Sequence, residues 1–179
     1  MIRVNLFQSF NRGVWITFGY ILLLYGTLSE TPKFISWLSE KDILGHFIAA
    51  PFVISIPLLL YVSVKAGRYG NISFWLSSIF LCLVFLSIID SVSAPAEILH
   101  IALYAVLGIF LFAVLRFKLN GLRLFISVAV LTTLFGILDE GIQFMLPNRY
   151  FDMNDILINS VGGLMALIVI RYIFGDRGL

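Results

Sequence analysis

The sequence predicts an all-α integral membrane protein with six transmembrane helices and both termini cytoplasmic. Three observations carry this prediction. Of 179 residues, 60% are hydrophobic and 12% charged, with a mean hydropathy of +1.02, whereas a soluble domain is about half apolar and about a quarter charged. The apolar residues gather in six runs suited to crossing a hydrocarbon core about 30 Å thick. The basic residues collect in alternate loops. A water-soluble globule, a disordered chain and a disulfide scaffold are excluded, the last because Cys82 is the single cysteine.

The six spans are read at residues 14–28, 43–64, 74–89, 98–115, 122–138 and 156–174. The runs are long and lack the polar alternation of a membrane barrel, so helices are expected. Pro51 and Pro57 predict a kink in the second span. The first span resembles a signal peptide, with Arg3 and Arg12 before an apolar core, but Gly26-Thr27-Leu28-Ser29 is a poor cleavage site, so it is read as retained. Soluble linkers are missing between the runs, so residues 1–179 are read as one membrane domain.

Charge fixes the expected orientation. Arg3, Arg12, Lys65, Arg68, Arg116, Lys118, Arg123, Arg171 and Arg177 fall on one side, and only Lys33, Lys41 and Arg149 on the other. The positive-inside rule makes the first side cytoplasmic. Nine of the ten acids fall outside and Asp176 inside, giving net charges of −6 outside and +8 inside. An acidic outer face attracts cationic ligands. The histidines suggest a loose repeat: Asp42…His46 opens span two and Glu97…His100 opens span four. The pattern points to a duplicated two-helix unit, residues 14–89 echoing the later helices.

Polar residues concentrate at the outer ends of spans four to six. Asp139 and Gln143 share a helix face, as do Asp155 and Asn159, being four residues apart. Gly162-Gly163 removes side chains one turn deeper, allowing close helix approach. Asp42, Glu97 and Asp155 are expected near helix N-termini, where carboxylates are favourable. Asp139 and Glu140 are expected to end span five, where the dipole disfavours them. Two readings follow: a salt bridge to Arg149 that folds the loop back, or a carboxylate pair held for a proton, a metal or a cationic ligand. His46, His100 and Glu140 are the candidate metal ligands, although their spacing matches no zinc signature. No cofactor is assigned; a divalent ion is the one open option.

The string Glu140-x-x-Gln143, Pro147-x-Arg149-x-x-Asp152-x-x-Asp155-x-x-x-Asn159-x-x-Gly162 closely resembles the C-terminal signature of the VanZ-like membrane protein family. Glu97, His100 and Tyr104 resemble the family's acidic-x-x-His motif with its following aromatic. The resemblance covers about residues 94–173. The family's usual Asp-Lys is Ala96-Glu97 here, while Asp42 keeps the Asp spacing to His46, so either histidine can be the counterpart. The resemblance implies a bacterial cytoplasmic-membrane protein of the cell envelope, with an extracytoplasmic polar site. The family's namesake is associated with low-level resistance to teicoplanin.

The expected binding residues are Glu97, His100, Tyr104, Asp139, Glu140, Gln143, Arg149, Asp152, Asp155 and Asn159. Their ligand would be a lipid head group, a cell-wall precursor or a partner protein. The expected surroundings are the lipid bilayer; nucleic acid is not an expected partner. The alternative is an intramembrane enzyme on a lipid-linked substrate, with His100 and Glu140 as acid and base or holding a metal. A small transporter fits less well, because mid-span charges are missing.

Overall fold

In a run this apolar the backbone polar groups have no partners but one another, and the helix is the local way to pair them. The computed structural model describes residues 2–47, 50, 61, 64–65, 95–147 and 149–174, the side chains of 2–7, 95–97 and 172–174 excepted. Five helices lie wholly within this part of the chain: α1 (Ile2–Gly26), α2 (Thr31–Glu40), α3 (Pro95–Leu115), α4 (Gly121–Phe144) and α5 (Met153–Phe174), and a further helical turn begins at Leu44. No strand occurs among the described residues. Three of the helices are long and apolar enough to cross a membrane, over Ile98–Leu115, Gly121–Phe144 and Met153–Arg171. Most of the expected span at 43–64 and all of that at 74–89 fall outside the described residues.

The polarity of the bundle is that of a protein packed for lipid. On α4, Ile126, Val130 and Leu134 are exposed, while Thr132, Asp139, Glu140 and Gln143 are buried. A water-soluble helix would carry the opposite pattern. The apolar core is formed by Leu24 of α1, Tyr104, Leu107, Leu111 and Phe112 of α3, Leu124 and Val128 of α4, and Leu167 and Ile170 of α5.

Missing side chains set the helix spacing. The most extensive contact joins α3 to α5, and a methyl group at Gly162 would lie 2.5 Å from the Ile101 carbonyl oxygen. At Gly163 it would collide with the Thr132 side chain of α4, and at Gly136 it would lie 3.1 Å from Asn159 Cβ. Small residues permit such approach where lipid supplies no hydrophobic drive between helices. The α3–α4 connection closes tightly, Leu119 N–H donating to the Leu115 carbonyl at 2.8 Å. Gly121 starts α4 with φ +54°, a conformation suited to glycine.

Helix α1 runs antiparallel to α3. Phe10 packs edge-on to Phe117 with centroids 5.8 Å apart, and Tyr20 donates to the Leu103 carbonyl at 2.8 Å. Arg12, Arg116, Lys118, Arg123 and Arg171 therefore share one end of the bundle. Glu30, Asp139, Glu140, Asp152 and Asp155 share the other.

Three expectations are corrected. Helix α4 runs six residues past the expected 138, to Phe144, so Asp139 and Glu140 lie within the helix rather than at its end. The acidic loop after the first span contains α2, with Pro32 in its first turn and Leu38 buried. Asp42 does not open the next helix. With φ 57° it closes α2, its N–H donating to the Ser39 carbonyl and that of Ile43 to the Leu38 carbonyl. This is the Schellman arrangement with aspartate in the usual glycine position.

The glycine contacts make a test. Gly162→Ala should cost about 1–3 kcal/mol, because a backbone oxygen cannot rotate away. Gly163→Ala should lose a similar amount, recovered in part with Thr132→Ala. Gly141→Ala meets nothing within 4 Å and should be neutral or stabilising by up to about 1 kcal/mol. Thermal melts in detergent check all three.

Candidate functional site

Three helix ends converge at the acidic end of the bundle. Helix α3 supplies His100 and Tyr104, one turn apart. Helix α4 supplies Asp139, Glu140 and Gln143, and α5 supplies Asp155 in its first turn and Asn159 one turn on. Tyr104, Asp139, Glu140, Gln143 and Asn159 are at most 2% exposed. Glu97 lies in the first turn of α3; its side chain is outside the described set.

The two adjacent carboxylates have different surroundings. Glu140 is fully engaged: Gln143 Nε2 donates to its Oε1 at 3.2 Å, and the Asp152 backbone N–H donates to its Oε2 at 2.9 Å. It thereby ties the 145–152 loop to α4. Asp152 itself caps α5, its Oδ1 accepting from the Asn154 N–H at 2.8 Å. The loop is thus folded back by Glu140 and a backbone N–H. The expected salt bridge from Arg149 to Asp139 or Glu140 is not formed. Arg149 lies instead within electrostatic reach of Asp155.

Asp139 is held differently. His100, Tyr104 and Gln143 surround its carboxylate, and His100 Nδ1 lies 3.9 Å from Asp139 Oδ2, beyond a direct hydrogen bond. The same nitrogen meets Asn159 Oδ1 at 3.2 Å. Both neighbours of Nδ1 are oxygens, so in the tautomer that carries its proton on Nδ1 the ring donates to Asn159. Among the described residues, three buried side-chain atoms have no hydrogen-bond partner: Asp139 Oδ1, Asn159 Nδ2 and Arg149 Nε. Such atoms are costly unless something fills them.

Sequence reasoning missed Tyr25. Its hydroxyl, on α1, donates to the Phe135 carbonyl at 2.9 Å, and Tyr104 donates to the same oxygen at 3.0 Å. The first helix therefore reaches the floor of the cluster. A lone tyrosine near the end of an apolar run carries no spacing signal that would reveal this contact. His46 stands apart: it is exposed on the helical turn after α2, and among the described residues it makes no hydrogen bond or ion pair with the cluster. Among the described residues, three or more His, Cys, Asp or Glu are nowhere grouped so as to hold a metal ion.

The fold and the buried polar cluster define a helical protein of membrane type with a polar site at one end of its bundle. The sequence model of the VanZ/LLP1 family matches residues 3–175, and the chain belongs to that family. The match extends the resemblance seen at residues 94–173 to nearly the whole chain, in keeping with the contact from Tyr25. No curated protein and no solved structure matches the chain.

The geometry separates the roles of Glu140 and Arg149 in stability. Glu140→Ala strands Gln143 and the Asp152 N–H, and should cost about 1–3 kcal/mol. Arg149→Ala breaks no buried pair and should cost under about 1 kcal/mol. Detergent melts that rank the two variants the other way would restore Arg149 as the loop lock.

Proposed function

We propose that this chain is a six-span protein of the bacterial cytoplasmic membrane, with cytoplasmic termini. Its extracytoplasmic site binds the polar head of an envelope lipid or lipid-linked cell-wall precursor. Parity supports the span count. Helix α1 ends, and α3 begins, at the acidic end of the bundle, which is compatible with an even number of crossings between them. Two spans at 43–64 and 74–89 satisfy that. The basic residues at the opposite end support the orientation.

The observation that carries the binding reading is the set of unpartnered buried atoms, Asp139 Oδ1, Asn159 Nδ2 and Arg149 Nε. An acceptor and two donors, left open at one end of a bundle whose neighbouring carboxylate is fully engaged, suit a polar ligand. A second reading rests on His100, placed between Asn159 and Asp139. A carboxylate beside an imidazole can orient it for proton transfer to a lipid-linked substrate. A link to glycopeptide tolerance rests on the family alone.

Two measurements test this. With Cys82 replaced, a cysteine at 152 in intact cells should react with an impermeant maleimide, and one at 118 should not; the reverse would place the site in the cytoplasm. Protein released from its own membrane should carry a lipid in native mass spectrometry, and Asn159→Ala should lose it. If purified wild type turns over a lipid-linked substrate and His100→Ala does not, the enzyme reading replaces the binding one.

A further inference from the structure

Resting on that lipid-binding reading, we infer that the site selects a zwitterionic aminophospholipid, its ammonium against Asp139, its phosphate at Arg149 and an acyl chain in a groove between α4 and α5. The first argument is charge. Asp139, Glu140 and Asp155 set three carboxylates against Arg149 and the imidazole of His100, so acids outnumber bases even with His100 protonated, and a cationic group completes the balance. The described acids and histidines form no group suited to a metal ion, and an organic ammonium needs no such ligand shell.

The second argument is hydrogen bonding. Asp139 is 1% exposed, and its Oδ1 has no donor. A primary ammonium brings three N–H donors, like that of lysine, whereas a trimethylammonium brings none. Arg149 Nε is an unpartnered donor, and a phosphodiester is a strong acceptor for a guanidinium. Both atoms lie at the acidic end of the bundle, and a single head group holding both charges would serve the two together.

The third argument is shape. A groove of about 270 Å³ lies between α4 and α5, lined by Ala129, Val130, Thr133, Leu134 and Leu164. It is almost wholly apolar, and Leu134 and Leu164 are about half exposed, at 54% and 47%, so it faces the hydrocarbon. Leu134 lies about 7.5 Å along α4 from Asp139. A chain seated there would leave its head group at the level of the polar cluster.

The test is a competition. Delipidated wild-type protein in detergent is offered an equal mixture of phosphatidylethanolamine, phosphatidylcholine and phosphatidylglycerol with matched chains, and bound lipid is read by native mass spectrometry. Phosphatidylethanolamine should be retained at least about tenfold over the other two, a difference of about 1.4 kcal/mol. Asp139→Asn should bring it down to the phosphatidylcholine level, and Arg149→Gln should weaken both alike. Leu134→Trp, which fills the groove without touching the polar cluster, should lower retention of every phospholipid. Retention of phosphatidylcholine or phosphatidylglycerol as strongly as phosphatidylethanolamine overturns the amine assignment and leaves the lipid-binding reading standing. Retention of none overturns that reading itself. If Asp139→Asn fails to fold, the wild-type competition and Leu134→Trp still decide.

Discussion

Everything at the acidic end of this bundle depends on how closely α5 approaches its neighbours. Gly162 lets the Ile101 backbone of α3 sit where a side chain would be, and Gly163 does the same for Thr132 of α4. In a lipid environment helices gain little by hiding apolar surface from one another, so association rests on close packing and interior hydrogen bonds. The glycines lie about one turn below Asn159 on the same helix. They set the distance at which its amide meets His100, at 3.2 Å, and the missing side chain of Gly136 leaves room for Asn159.

On that frame, two carboxylates adjacent in sequence take opposite parts. Glu140 accepts a side-chain amide on one oxygen and a loop N–H on the other. Asp139, one residue away and pointing to a different face of α4, keeps an oxygen with nothing to accept from. A helix turns about 100° per residue, which suffices to send one carboxylate to the loop and the other to the interhelix space. The acid that anchors the loop and the acid that faces its neighbouring helices are thereby separated within one turn.

Much of this was legible in the sequence. The helical class, the polar set on the last three helices, the glycine pair and the family resemblance all follow from residues 94–173, where apolar runs and spaced polar positions carry the information. The end of α4 was placed too early because hydropathy falls at Asp139, yet the helix continues to Phe144 with those polar residues buried in it. Helix α2 was hidden because ten residues with a single buried position, Leu38, look like a loop in a hydropathy profile. Arg149 is the only base in the loop beside Asp139 and Glu140, which makes a salt bridge one of the two readings the sequence offers, while the donor that engages Glu140 is a backbone N–H, which no side-chain inventory contains. Tyr25 was invisible for a different reason: its contact spans 110 residues, and periodicity within one helix says nothing about such distances.

The Phe135 carbonyl carries a consequence of its own. It accepts from Tyr25 and from Tyr104 while holding its place in the helical ladder of α4, which loads three donors onto one oxygen. Each added donor lengthens the C=O bond and lowers its stretching frequency. That single peptide group should therefore absorb well below the rest of the amide I band, and an isotope label there would make it a vibrational gauge. Its frequency would rise stepwise as the first helix, or the tyrosine of the third, lets go.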